Sequence, residues 1–404
     1  MQGVRPRVFI SYTHHGGCQL AEDIETELRL RGVDVWRDVK SANLGMGIRE
    51  TAETVMADPR TIACLILFTD KTAERPSVKH EALVAFDEAR KRPEFKVIPV
   101  TTSSFEDLER VLNESEFPPV WRELGTAVPP EEPDRMRAIQ GLARGVLGHV
   151  VGHCLPVEAG AVTIQLNTRD GTDPAPEYLL FLDWRPLFPG DRPPDQATWE
   201  ARILPALADL RRALAGYRHP TFSIVGFAHL CAAFALGYTL GRTAGYQHRL
   251  GVIQHPVDWR CEPQDLEPGG LDIEWSGPQR APSLVACASL ANEVALERLD
   301  PRLLGAARIL VAQPVDGPSR RSVPDGRALW AMATQLADHI RSAQPLAGSV
   351  THVFMAAPFA FAVALGHLSN AAGRFMLYDY RESEGTYIHA VELRRELLAA
   401  APVV

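Results

Sequence analysis

"TIACLILFT", residues 61–69, is the stretch that most limits what this chain can become. A half-exposed strand alternates apolar and polar side chains. A continuous apolar run of this length instead fits a strand buried on both faces, at the centre of a parallel sheet covered by helices. Parallel neighbours need helical crossovers, and the flanking sequence supplies them. "RVFISY" reads as a strand, "CQLAEDIETELRLRG" as a helix closed by Gly32, "VDVWRD" as a strand and "GIRETAETVMAD" as a helix. Downstream, "SVKHEALVAFDEARKR" is a helix and "FKVIPVT" a strand, and the proline-rich "PPEEP" at 129–133 precedes a helix over 134–151. This alternation is α/β grammar.

The chain has 404 residues, more than one core usually serves, so two domains are expected, with the boundary at 150–160. A net charge of -8 argues against general electrostatic attraction to nucleic acid and leaves room for a local basic pocket for a small anion. Six scattered cysteines without a CxxC pair read as reduced thiols. With no charged-then-apolar leader, a cytoplasmic location is expected. "FSIVGFAHLCAAFALGYTLG", 222–241, is long enough to span a bilayer. It changes from strand-like to helix-like rhythm inside and contains His229, so it reads as a buried strand-turn-helix.

The region from about 160 onward is also α/β and carries a weak repeat. "AHLCAAFALG" (228–237) aligns with "APFAFAVALG" (357–366), with Ala, Ala, Leu and Gly in register. Each copy follows an apolar strand, "FSIVGF" or "VTHVFMA", and precedes another, "LGVIQH" or "RFMLYDY". Two fused βαβ halves would produce this pattern; so would two alanine-rich helices alike by chance.

Ligands of open parallel sheets collect outside the carboxyl ends of the strands. Ser11, Tyr12, Thr13 and His14 follow the first strand, and Asp38 ends the second. Ser77, with Pro76 just before it, is placed to cap the helix after the third, which puts Glu81 one turn in. Val78, Ala82, Ala85, Phe86 and Ala89 make one apolar face of that helix, and Glu81 sits at its edge, roughly 90° from the centre. Such a half-buried carboxylate can reach a ligand. Glu88 lies on the same side but deeper. The plainer reading is that an early helical carboxylate is favoured by the helix dipole alone. Phe9 and Trp36 alternate within strands, as core residues do.

Other features carry less. His149 and His153 are one turn apart with Cys154 adjacent, yet the glutamate of a zinc protease is missing, so no metal is expected. There is no Walker loop, GxGxxG or GxSxG. "DWRPLFPGDRPPDQ" (183–196) reads as a proline-rich surface loop, and "HAVELRRELLAAAP" as a closing amphipathic helix.

The stretches of the first 150 residues together resemble a TIR domain: "RVFISY" its first box, "VDVWRDVKSANLGMGIRETAETVM" its second, and "CLILFTDKTAERPSVKHEALVAF" the third strand and the segment that carries the catalytic glutamate of enzymatic members. By position that glutamate is Glu81. Val78 stands where many members have tryptophan, and "VKSANLGMG" (39–47) matches the BB loop, which often packs on a neighbouring protomer. "FSIVGFAHLCAAFALG", "ARILVAQP" and "THVFMAAPFAFAVALGH" resemble a SAVED domain, a fusion of two CARF-like halves that senses cyclic oligonucleotides.

These resemblances imply a flavodoxin-like parallel-sheet TIR domain over 1–152 and a larger α/β SAVED domain over 160–404. The pairing is similar to TIR–SAVED effectors of bacterial CBASS antiphage defence, which act through abortive infection. It implies an NAD⁺ hydrolase gated by a cyclic oligonucleotide, a trinucleotide favoured, and by self-assembly into an oligomer or filament. NAD⁺ is then substrate, with no cofactor, no membrane and no DNA partner. Glu81 is implied as the catalytic carboxylate, with Phe9, Ser11, Tyr12, Trp36 and Asp38 around the substrate. His229, Gln313, Pro358, Phe359, Arg242, Arg374, Tyr378 and Arg381 are implied around the cyclic nucleotide, because helix N-termini and arginines suit phosphate. A non-enzymatic TIR scaffold and a nucleotide-binding module are the alternatives.

Overall fold

Thr61–Phe68 forms strand β3, buried along its whole length. It stands between β1 (Arg7–Ser11) and β4 (Lys96–Thr101) in a parallel sheet of order β2-β1-β3-β4-β5, with β2 (Asp34–Arg37) and the short β5 (Thr126–Ala127) at the edges. The computed structural model describes residues 5–13, 16–37, 48–69, 76–102, 126–154, 161–170, 179–215, 221–241, 250–254, 257–258, 268–343, 349–370 and 372–394. The chain divides into two compact units, Met1–Pro156 with Ala175–Leu182, and Val157–Pro174 with Asp183–Val404.

In the first unit, α1 (Cys18–Leu30) buries Leu20, Ala21, Ile24 and Leu28, as its spacing predicts, and stops two residues before Gly32. On one face of the sheet, Phe9, Cys64, Ile66 and Phe68 pack with Met56 of α2 (Ile48–Ala57) and with Val78, Ala82, Ala85 and Phe86 of α3 (Pro76–Lys91). The apolar stripe read from α3 is thus its core face. This helix begins at Pro76, one residue ahead of the cap expected at Ser77. Proline suits a first turn, where its missing N–H has no intrahelical acceptor. The helix α4 (Asp134–Cys154) packs on α1.

β7 (Leu180–Asp183) lies where the chain passes between the units. The second unit holds parallel strands in the order β9-β8-β6, from β6 (Ala161–Asn167), β8 (Thr221–Phe227) and β9 (Leu250–Gln254), with β10 (Val257–Asp258) antiparallel beside β9. A second sheet follows, of order β11-β13-β12-β14-β15-β16. Its central strands β12 (Ser283–Ser289), β13 (Ala307–Pro314), β14 (Val350–Ala356) and β15 (Arg374–Arg381) are parallel. Its edges β11 (Leu271–Ser276) and β16 (Thr386–Leu393) are antiparallel. Among the described residues the long helices of this unit are α5 (Leu204–Ala215), α6 (Leu230–Thr239), α7 (Gly326–Ala343) and α8 (Phe359–Ser369).

The repeat is structural. β8–α6–β9 and β14–α8–β15 are matching strand-helix-strand units. Their helices are apolar all round, buried almost throughout, and packed on each other. Residues 222–239 are the strand, turn and helix their rhythm predicts, and no helix among the described residues is long and apolar enough to cross a membrane.

Two expectations fail. Residues 389–393 are the end of strand β16, paired antiparallel with β15, and not a helix. The hairpin turn at Gly385 (φ 63°) brings the alternating "TYIHAVEL" against the sheet, and its ladder overrides the helix-like pattern that continues beyond it. Residues 183–196 are not simply a surface loop. They form a 3-10 turn, Arg185–Leu187, and a left-handed turn at Gly190 and Asp191 (φ 61° and 58°), anchored by fully buried Trp184 and by Phe188.

Candidate functional site

Order β2-β1-β3 reverses direction at β1, and the crevice outside the ends of β1 and β3 is where a doubly wound sheet leaves room for a ligand. Ser11 is the last residue of β1, and Glu81 is five residues into α3, which follows β3. Ser11 Oγ donates to Glu81 Oε2 at 2.5 Å, and both residues are buried, Glu81 at 9% exposure. A hydroxyl this close to a carboxylate makes a charge-assisted bond. Fully buried Cys64 of β3 senses the same group: burial first, and the Glu81 charge second, push its thiol well up. Glu88, deeper along α3, is instead paired with Lys91 at 3.0 Å and Arg92 at 3.3 Å.

The other residues singled out in this unit fall in two groups. Tyr12 follows β1 directly, is mostly buried, and lies under the Arg37 guanidinium, 5.6 Å from the ring centroid. Phe9 is buried and stacks on Trp36 with centroids 4.8 Å apart, and both join the core cluster behind α3. Val78 is in that cluster too. Asp38, His14 and the 39–47 loop lie outside the described residues.

In the second unit the strand ends of the two halves are built alike. Thr168 N and Arg169 N, just past β6, both donate to Phe227 O at the end of β8, at 3.2 and 3.3 Å. Leu290 N and Ala291 N, just past β12, both donate to Ala356 O at the end of β14, at 3.0 and 2.7 Å. His229 and Pro358 then cap α6 and α8. Thr168 Oγ1 accepts from His229 N at 2.8 Å and lies 2.7 Å from its Nδ1. Phe188 stacks on the imidazole, centroids 4.8 Å apart. Burial, the largest cause, lowers the His229 pKa, with Asp379 acting against it. Phe227 beside this cap is 53% exposed, an open aromatic face at a strand end.

Of the remaining residues, Phe359 is the buried first residue of α8, and Gln313 lies on β13 opposite Asp272. Tyr378 stacks on Phe354 (4.3 Å) and bonds His352 Nδ1 through its hydroxyl at 2.9 Å. Arg374 pairs with Glu392, and Arg381 with Glu384 at 2.5 Å. His229 and Pro358 are thus brought to equivalent helix starts, while Arg374, Tyr378 and Arg381 lie along the neighbouring strand β15. Arg242 lies outside the described residues. His149 reaches Ile62 O (3.2 Å), and no group of metal-ligating side chains occurs among the described residues. The sequence reading misses Thr168, Arg169, Phe188 and Asp191. For Phe188 and Asp191 the one signal is the presence of large aromatics in a segment otherwise rich in proline.

Comparison with known proteins divides the chain in the same order. The TIR domain family matches residues 8–120, and the SMODS-associated and fused to various effectors sensor domain, SAVED, matches residues 203–393. CD-NTase-associated protein 4 of Enterobacter hormaechei subsp. hoffmannii (strain UCI 50) is 26% identical over 231 residues, 54% of this chain and 45% of that protein. The matched part therefore spans under half the length of that relative. The Acinetobacter baumannii Cap4 SAVED/CARF-domain receptor, solved with the cyclic trinucleotide 3'3'3'-cAAA, superposes with a TM-score of 0.49 at 15% identity, over 82% of this chain and 88% of that one. The Moraxella osloensis Cap4 receptor gives 0.46 at 14% identity, over 81% and 86%.

Proposed function

From a chain that joins a TIR domain to a SAVED sensor domain, the architecture of CBASS effectors, we propose a cytoplasmic NAD⁺ hydrolase switched on by a cyclic oligonucleotide. The observation that carries the reading is the buried Ser11–Glu81 pair at the switch point of the first sheet. A carboxylate fixed by a hydroxyl, in a partly dry crevice, is suited to stabilising positive charge on a sugar.

In the proposed reaction the bond between ribose C1′ and the nicotinamide nitrogen breaks. The electron pair leaves with nicotinamide, which departs neutral and needs no acid. The ribose becomes oxocarbenium-like, and Glu81 faces that charge. Water then bonds to C1′ and releases its proton to solvent. Ser11 holds the carboxylate in place, and Tyr12 borders the crevice.

The second unit supplies the trigger. The starts of α6 and α8, with Phe227 beside one of them, form the surface to which a cyclic trinucleotide binds. Binding drives assembly, and assembled neighbours complete the first-unit sites. The test is incubation of the full chain with NAD⁺ and a panel of cyclic di- and trinucleotides, followed by nicotinamide release and light scattering. Release and a rise in scattering with the same ligand are expected. No release with any ligand, or unchanged release by Glu81→Ala, would sink the proposal.

A further inference from the structure

Arg169 and His229 aim two side-chain nitrogens at one oxygen. Arg169 Nε lies 2.7 Å and His229 Nε2 3.1 Å from Oδ1 of Asp191. Both nitrogens are buried and neither makes an aligned hydrogen bond to the carboxylate, while the Asp191 backbone also bears on the imidazole.

The imidazole cannot easily turn to improve this. The Thr168 hydroxyl accepts from the His229 backbone N–H and lies 2.7 Å from Nδ1, so the ring is held at both ends. With the Thr168 hydrogen on Nδ1, Nε2 carries the ring N–H and can donate to an anion. The His229 side chain is 2% exposed and sits at the cap of α6, a ten-residue helix whose first amides lack intrahelical acceptors.

Asp191 is a loosely suited occupant. Its φ is 58°, in the left-handed region, and its side chain is 61% exposed. Ion pairs open to water contribute little and are readily exchanged. The second half has no counterpart, since Ala291 and Pro358 stand where Arg169 and His229 stand in the first. The asymmetry marks a charge requirement at one end only.

We propose that this point is a subsite for one phosphodiester of the ligand, and that Asp191 is an internal stand-in that leaves when the phosphate enters. The inference rests on reading the second unit as a cyclic-oligonucleotide sensor. A diester offers two non-bridging oxygens, one for each nitrogen, where Asp191 offers one oxygen to both. The other carboxylate at this helix end, Asp379, accepts from the Cys231 thiol at 2.9 Å. With that fixed negative charge nearby, a singly charged diester suits the site better than a doubly charged terminal phosphate.

The test uses the full chain and dimethyl phosphate, a monoanionic diester without sugar or base. Asp191→Asn keeps a residue tolerant of the left-handed conformation and removes the charge. It should bind dimethyl phosphate about three- to tenfold more tightly than the wild type, by titration calorimetry and thermal shift. Adding Arg169→Gln should abolish the gain. In the cyclic-nucleotide panel, Asp191→Asn should move activation to lower ligand concentration by a similar factor. Equal dimethyl phosphate binding by wild type and Asp191→Asn, or a gain that survives Arg169→Gln, overturns the subsite. A gain for dimethyl phosphate with no cyclic nucleotide bound by either protein upholds the subsite and sinks the sensor reading instead.

Discussion

Gly237 and Gly366 occupy the same position on two crossing helices, each against the backbone of the other. A Cβ on Gly237 would lie 2.0 Å from Val363 O and 3.1 Å from His367 N; one on Gly366 would lie 2.2 Å from Phe234 O and 2.9 Å from Tyr238 N. Phe234 and Tyr238 hold, in the first copy of the repeat, the places of Val363 and His367 in the second. The contact is therefore reciprocal, as a local two-fold requires. It explains why glycine recurs at the tenth place of both copies: the helices touch there, backbone to backbone. The two helix starts of the second unit are held in a fixed relation by this crossing.

Gly366→Ala should cost at least about 3 kcal/mol, the upper range for overpacking, because the neighbours a new Cβ would meet are backbone atoms that cannot rotate away. Gly148→Ala is the contrast. Gly148 lies within α4 with nothing within 4 Å of a new Cβ, so alanine should stabilise by about 0.5–1 kcal/mol. Denaturant unfolding of both variants beside the wild type checks the pair. Equal and small effects would mean that the crossing helices have room to separate.

Glu81→Gln should keep the fold and lower nicotinamide release about 10²–10³-fold, the usual cost of losing one transition-state electrostatic group. Ser11→Ala removes the donor and leaves the charge, so about ten- to hundredfold is expected, from the strength of hydrogen bonds to charged groups. The loss should appear in kcat more than in KM. Steady-state kinetics on the activated protein, with unfolding curves as a control for folding, separate the two variants.

Local pattern makes much of this legible. The unbroken apolar run of β3, the helical stripe of α3 and the place of Glu81 at its edge follow from period and burial alone. The repeat is visible because a glycine and its flanking small residues are needed twice. Pairings between distant residues are not legible. Asp191 meets His229 only after a proline-rich segment is pinned by Trp184 and Phe188, and no local period encodes that. The last strand is opaque for a related reason: "HAVEL" takes its conformation from the ladder to β15, while the residues after it carry a helical rhythm.

Arg31 and Glu27 form a fully buried ion pair at the end of α1, at 2.6 Å with neither side chain exposed. Removing one partner takes a 2.6 Å ionic contact from a charge that is shielded from water. Glu27→Ala should therefore destabilise the first unit by about 3–5 kcal/mol, while replacing both residues by apolar side chains of similar volume should recover most of the loss. Thermal unfolding of the single and double variants decides it; additive losses would contradict the coupling.

His352 makes the second unit sensitive to acid. Burial first, and the neighbouring His389 second, lower its pKa from the ordinary 6.5 to about 4. The groups that face it are the Tyr378 hydroxyl at 2.9 Å and the His389 ring. In the unfolded chain this histidine takes up its proton near 6.5, before the folded chain does. Stability from this site is thus complete above pH 6.5, falls as pH drops toward 4, and levels off below that. His389, also lowered by burial, acts in the same direction. Unfolding free energy measured by denaturant between pH 4 and 7 should rise with pH, and His352→Gln should flatten part of that rise. A slope unchanged by the substitution would place the acid sensitivity elsewhere in the chain.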